Sequence, residues 1–441
     1  MSEIRGVVFS TECSHSRVDA PEIPRSVTTR VTAICLFVIL AEGYDVGIYG
    51  AVLPALIEER TWGLSPTQFG VLGSFALVGM LVGAVLVGAL SDMIGRKKTL
   101  VACVGIFSVT MAWASLAQTP AEFGWCRFVG GLGLGGVIPT ASALTIEYSP
   151  VRRRSFNYAL MYSGYALGGV SIALLSLWFL KDSGWRALFR IGAFPLLAVP
   201  LIVWGMPESI AFLRSRRRFR EADRLALRLG IEPHGGEADS QSMGAHPART
   251  TIGRLFGPSS IRATLLFWVA FFMGLLLIYG LNTWLPQMMR SAGYPLASSL
   301  ALLLALNLAA AVGSLVAGAA ADRWGSRCVI VISYLIAAFS IALLSTRPGT
   351  LLTYGLVGVA GIGSISTTLV LNAYVSKYFP VDVRATALGL ALGFGRLGAI
   401  AGPLLGGILV SSQVSLASCF YIFAAAGLLA ALAVFLVPDH A

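Results

Sequence analysis

Charge is scarce in this chain of 441 residues: Asp, Glu, Lys and Arg make up only 12% of it, about half the share of a soluble domain. With 56% of the residues hydrophobic, the composition excludes a soluble globular protein. Histidine is scarcer still. All four, His15, His234, His246 and His440, fall in the tails or in a polar central stretch, so proton chemistry inside apolar segments must use carboxylates, and no histidine-ligated metal or haem is expected there. The six cysteines are scattered without paired spacing; that pattern excludes a disulfide framework and a cysteine metal site, and they read as small apolar side chains. No nucleophile is accompanied by a base, so no enzyme activity and no cofactor is expected. The first 27 residues lack an apolar core, and no cleaved signal peptide is indicated.

What the chain has instead is a succession of apolar runs of about 20 residues, the length that crosses about 30 Å of hydrocarbon. Twelve spans are predicted near 30–55, 68–91, 99–118, 123–147, 156–179, 187–206, 262–286, 297–321, 328–346, 351–377, 385–411 and 415–437. The net charge of +11 follows this map. Twenty-four of the 32 Lys and Arg residues lie in the N-terminal tail or the even-numbered connections, six lie in the odd-numbered ones, and Arg127 and Arg396 lie within spans. Such asymmetry is the positive-inside bias and predicts cytoplasmic termini; the basic pI reports topology, and no nucleic-acid partner is expected.

"GALSDMIGRKK" at Gly88 to Lys98 recurs loosely as "GAAADRWGSRC" at Gly318 to Cys328, an offset of 230. The same offset pairs Tyr49 and Gly50 with Tyr279 and Gly280, Gly131 and Gly133 with Gly361 and Gly363, Tyr148 with Tyr378, Pro150 and Val151 with Pro380 and Val381, and Arg154 with Arg384. The fold class is therefore all-α: twelve transmembrane helices in two pseudo-symmetric six-helix halves of the same orientation. The expected organisation is a cytoplasmic tail over 1–27, an N-terminal half over 28–206, a cytoplasmic linker over 207–261, a C-terminal half over 262–437 and a cytoplasmic end over 438–441. In the linker, Phe219, Ala222, Ala226 and Leu229 recur at helical spacing among arginines, which predicts a basic amphipathic helix on the lipid surface.

The repeat and the "G-x-x-x-D-x-x-G-R-K" connection after the second span resemble the major facilitator superfamily over nearly the whole chain. Within it, "EGYDVGIYGAVLP", "RFVGGLGLGGVIP" and "GRLGAIAGPLLGG" in spans one, four and eleven resemble the aromatic acid:proton symporter family. That family usually opens its first motif with Asp-Gly-(Phe/Tyr)-Asp. Here Glu42 replaces the first Asp and keeps the acid with one more methylene. The resemblance implies coupling, gating or substrate roles for Asp45, Arg127, Glu147, Arg384 and Arg396. It also implies that Asp92 and Arg96 belong to a gate closing the cytoplasmic side near Arg384, with Asp322 as the repeat counterpart of Asp92 and Glu147 beside the arginines at 152–154.

An ionisable group in a bilayer core costs at least about 2.5–3.5 kcal/mol and marks a functional position by default. Glu42, Asp45 and Tyr49 are spaced i, i+3, i+7 and share one helical face, and Arg127 lies at a depth similar to Asp45, counting 1.5 Å per residue. Asp45, with or without Glu42, is then either a proton carrier whose affinity Arg127 controls, or one half of a fixed ion pair between spans one and four. Arg396, near the middle of span eleven, is either a bidentate clamp for a substrate carboxylate or an arginine paired with helix carbonyls or a coupling acid. Asn372, Asn282 and Asn307 are costly to bury and predict polar lining. Tyr49, Tyr279 and Phe272 lead the aromatic candidates for stacking, with Tyr162, Tyr165, Phe271, Trp284 and Phe394 behind them. The glycines at 130–136, Gly79 with Gly83 and Gly402 with Gly406 predict close helix packing.

Together these features imply a proton-coupled importer of a benzoate- or hydroxybenzoate-like carboxylate, working as a monomer in a bacterial-type inner membrane by alternating access. A drug exporter and a sugar or organic-anion porter are the alternatives. The exporter signature "GPxxGG" is missing from span five, and "PES" at 207–209 is the feature that favours a sugar porter.

Overall fold

The apolar runs form helices because a chain in hydrocarbon must satisfy every backbone group within itself. A computed structural model describes residues 23–60, 62–231, 253–257 and 260–438. The N-terminal tail, most of the central linker and the final residues lie outside the described residues, as do all four histidines. The N-terminal half comprises α1 (Arg25–Glu58), α2 (Pro66–Ile94), α3 (Arg96–Ala114), α4 (Pro120–Glu147), α5 (Arg154–Gly192) and α6 (Pro195–Gly205). After two short helices, α7 (Ile210–Ser215) and α8 (Phe219–Leu229), come α9 (Ile261–Ser291), α10 (Leu296–Trp324), α11 (Ser326–Leu343), α12 (Thr350–Gly361), α13 (Thr367–Tyr378), α14 (Val381–Ser411) and α15 (Leu416–Phe435).

Eleven stretches among the described residues are long and apolar enough to cross a membrane. The fifth, Val151–Gly205, has 55 residues; at 1.5 Å per residue it would run about 82 Å as one rod, far more than a bilayer. Gly184 breaks it at φ 70°, ψ 175°, and that break separates the fifth span from the sixth. The tenth span is α12 and α13 joined by a π-helical stretch, Ile362–Ser366. This is a twelve-helix bundle.

The internal repeat extends to individual bonds. Gly95 and Gly325 end α2 and α10 at φ 105° and 86°, a region that favours glycine. Arg154 Nε donates to the Ser149 carbonyl at 3.3 Å, and Arg384 Nε donates to the Phe379 carbonyl at 3.4 Å. The Tyr148 hydroxyl donates to the Glu208 carbonyl, and that of Tyr378 donates to the Pro438 carbonyl. Every residue in the second member of each pair lies 230 positions after its counterpart.

Inside the halves, α1 packs along α5, α2 along α4 and α9 along α14. Glycines allow the approach: a side chain on Gly79 or Gly131 would strike the backbone of the facing helix. The halves meet through α2 with α14, α5 with α10, and α1 with α9. On helix α8, Ala222 and Ala226 are buried against α7 and the start of α1, and Phe219 and Leu227 are exposed.

Candidate functional site

Asp45 lies on α1 and is 1% exposed, and Arg127 on α4 is 5% exposed. Arg127 Nη1 bonds the Asp45 carboxylate, and Nη2 donates at 3.0 Å to the backbone carbonyl of the same residue. The Met111 sulfur lies 3.7 Å from Nη1, and the Phe189 ring sits 5.9 Å from the guanidinium carbon. The arginine is thus held on one residue by two bonds in a site without water access.

Glu42, one turn earlier on α1, is fully buried, and neither carboxylate oxygen has a hydrogen-bond partner. An ionised carboxylate in such a place costs at least about 2.5–3.5 kcal/mol. The charges that reach it are those of Arg396, from α14 in the other half, and of Asp45 on its own helix. Arg396 has Met80 Sδ at 3.7 Å as its contact across the halves. The same neighbourhood holds Tyr162 and Tyr165 on α5 and Tyr279 on α9: the Tyr165 and Tyr279 hydroxyls are 3.2 Å apart, Tyr162 and Tyr165 stack at 6.2 Å and 17°, and the Glu42 charge reaches both α5 tyrosines.

The other sequence candidates disperse. Tyr49 is 3% exposed and donates to the Phe69 carbonyl at 2.6 Å, which ties α1 to α2 within one half. Asn282 accepts at 3.2 Å from Asn307, whose amide also donates to the Leu303 carbonyl at 3.0 Å. Asn372, half-buried in α13, keeps a buried Oδ1 without a partner. Phe272 packs on Phe394 at 5.9 Å, and Phe394 stacks on Trp268 at 5.1 Å. Trp284 donates to the Pro403 carbonyl at 2.8 Å and is fully buried.

At the end of the bundle where the first helix begins and the last one ends, hereafter the terminal face, Arg96 pairs with Glu147 at 2.8 Å. Glu147 also accepts from Ser209 Oγ at 2.6 Å and from the Ala211 amide at 2.9 Å. Glu208 accepts from the amides of Lys97 at 3.0 Å and Ser209 at 2.9 Å. "PES" therefore has a structural role: it caps α3 and completes the Glu147 cluster. Sequence reasoning had noted the motif but not these partners. Arg216 donates to the Asp92 backbone carbonyl at 2.7 Å, while Lys377 lies 3.7 Å from Asp322. The bond expected from Asp92 or Arg96 to the start of α14 near Arg384 is not formed among the described residues: Arg96 is held by Glu147, and Arg384 Nε donates to the Phe379 carbonyl.

Side-chain hydrogen bonds that cross between the halves lie elsewhere. At the far face, Arg290 Nε meets Glu58 at 2.8 Å and Thr67 Oγ1 meets Ser411 Oγ at 2.7 Å. Two turns further along α2, Ser74 Oγ donates to the Ile400 carbonyl at 2.8 Å. Gly70 and Gly407 pack backbone to backbone, and a side chain on Gly50 would strike the Asn282 carbonyl. The Arg396–Met80 and Tyr165–Tyr279 contacts are next, near mid-bilayer, and none follows toward the terminal face among the described residues. Among the described residues, the side-chain bonds between the halves thus run from the far face to about half the height of the bundle.

Two similar six-helix halves packed together around buried charges are the architecture of a secondary transporter. Residues 35–310 and 298–441 match the Major Facilitator Superfamily. The chain belongs to that superfamily and, within it, to the aromatic acid transporters: it is 35% identical to the benzoate transport protein of Acinetobacter baylyi, over 93% of this chain and 90% of that one. It is also 36% identical to the gentisate transporter of Corynebacterium glutamicum, over 92% and 86%. The xylose transporter XylE from E. coli, in a partially occluded inward-open conformation, shares the fold at a TM-score of 0.74 and 17% identity, covering 94% of this chain and all of that one. The protein is thus a multi-pass membrane transporter and not an enzyme.

Proposed function

We propose that this protein imports an aromatic carboxylate together with protons, with both termini in the cytoplasm of a bacterial cell, the inner membrane as its site, and a single chain as the working unit. The observation that carries the proposal is the pair of buried carboxylates one turn apart, Asp45 on Arg127 and Glu42 without a hydrogen-bond donor, within reach of the Arg396 charge. The superfamily relatives and their aromatic-acid names support the substrate class. The positive-inside distribution supports the orientation.

An organic anion entering a negative-inside cell works against about 2.3 kcal/mol per 100 mV for its one charge. One proton carried with it makes the cycle electroneutral. In the proposed cycle the substrate carboxylate binds Arg396 when Glu42 is protonated and no longer competes for the guanidinium. Asp45 takes a second proton when Arg127 withdraws, so the loaded protein carries one added positive charge that the negative interior attracts, and the halves rock about the midplane. On the terminal face, Asp92, Arg96, Glu147, Asp322 and Arg384 belong to the gate that forms when the halves close there. Asn372 and Phe272 complete the lining of the C-terminal half.

The test is uptake by purified protein in liposomes under an imposed pH gradient, with benzoate, hydroxybenzoates, phenylpropionates and sugars. Accumulation of an aromatic acid that collapses with the gradient is expected. Failure of every aromatic acid to accumulate removes the proposal.

A further inference from the structure

We propose that the Tyr165–Tyr279 hydroxyl pair reads a hydroxyl group on the ring of the transported acid, so that the site prefers hydroxylated aromatic acids to benzoate itself. This rests on the aromatic-acid function proposed above and adds the residues that set specificity within it.

Two phenol groups together carry two donors and four acceptor lone pairs. Their mutual bond at 3.2 Å consumes one donor and one lone pair. The second donor and the remaining lone pairs stay available to a third oxygen. A phenolic substrate hydroxyl both donates and accepts, so it can engage both tyrosines at once. A C–H at the same ring position offers neither bond.

Placement supports the assignment. Tyr165 and Tyr279 belong to opposite halves and are both half-buried, so a substrate bonded to them touches both moving parts. The Glu42 charge reaches Tyr162 and Tyr165, and that of Arg396 reaches Glu42 and Tyr162. Tyr162, within reach of the Arg396 charge, stacks on Tyr165 at 6.2 Å, which links the pair to the group proposed to hold the carboxylate. The stacked Tyr162 and Tyr165 rings add a flat aromatic wall.

The internal repeat separates this pair from features inherited with the fold. The repeat counterpart of Tyr279 is Tyr49, whose hydroxyl is committed to the Phe69 carbonyl inside its own half. The counterpart of Tyr165 is Gly395. Among the described residues the hydroxyl pair has no repeat counterpart and stands where the symmetry is broken.

The experiment measures binding of benzoate, 3-hydroxybenzoate and 4-hydroxybenzoate to the full-length protein in detergent, for wild type, Tyr165→Phe, Tyr279→Phe and the double variant. Wild type is expected to hold at least one hydroxylated acid more tightly than benzoate by about two- to tenfold, the range of one net hydrogen bond. Each Phe variant is expected to pull that ratio toward one, and the double variant to abolish it. Wild type without a preference, or a ratio that the variants leave unchanged, overturns the proposal. Both results compare two aromatic acids that bind, so they are distinct from failure of the transport function itself. Circular dichroism and size-exclusion profiles identify any variant that misfolds, and the remaining single variant then decides.

Discussion

Arg127 grips Asp45 at two places, the carboxylate through one guanidinium nitrogen and the residue's own backbone carbonyl through the other, at 3.0 Å. The backbone bond does not depend on the charge of Asp45. A proton on the carboxylate would therefore loosen one bond while the other keeps the arginine nearby, an arrangement suited to reversible protonation.

Asp45→Asn tests this directly. The variant is expected to lose proton-driven accumulation by at least about tenfold while retaining exchange of labelled for unlabelled substrate, since the backbone bond still anchors Arg127. Removing one partner of a buried pair costs about 3–5 kcal/mol, so a lower melting temperature should accompany the defect. Undiminished uphill uptake in liposomes would dismiss Asp45 as a proton carrier.

Arg396→Ala is expected to weaken binding of an aromatic acid about 10- to 100-fold, the worth of a charge-assisted hydrogen bond, and to affect its methyl ester much less. Arg396→Lys should restore part of the charge but not the planar fork. Equal losses for acid and ester in a titration would mark the arginine as structural.

Gly50→Val places a side chain on the Asn282 carbonyl across the halves, where backbone cannot yield. The far face should then fail to close. In a protein carrying Glu58→Cys and Arg290→Cys, which replace the ion pair at that face, disulfide yield is expected to drop severalfold with Gly50→Val. An unchanged yield would show that the halves close without this contact.

Glu208→Ala removes the acceptor for the amides of Lys97 and Ser209. Loss of a helix cap costs about 1–2 kcal/mol, and the melting temperature in detergent should drop by a few degrees. Glu208→Gln retains an acceptor oxygen and should recover part of the loss. Identical melting curves for all three proteins would contradict the capping role.

Much of this structure can be read along the chain. The spans were visible because hydrocarbon demands about 20 apolar residues in a row, and the 230-residue repeat because equivalent turns need the same residues, such as glycine at positive φ in Gly95 and Gly325. The boundary between spans five and six was less plain, since only Gly184 breaks an otherwise continuous helical run. Face-sharing on α1 was also legible: Glu42, Asp45 and Tyr49 are all buried. It could not tell that Tyr49 serves its own half while the counterpart Tyr279 serves the interface, because helical spacing orders side chains around one axis and says nothing of what stands opposite.

The sequence by itself determined twelve spans, two similar halves and a small set of charges that lipid would reject. Only the tertiary structure decided how those charges are distributed: Asp45 held by Arg127, Glu42 left without a donor within reach of the Arg396 charge, and Arg96, Glu147 and Asp322 bonded within their own half or to the segment that follows it. The physical reason is range. Hydropathy and turn geometry act over a few residues, whereas an ion pair between α1 and α4, or a hydroxyl pair between α5 and α9, depends on where two whole halves come to rest against each other.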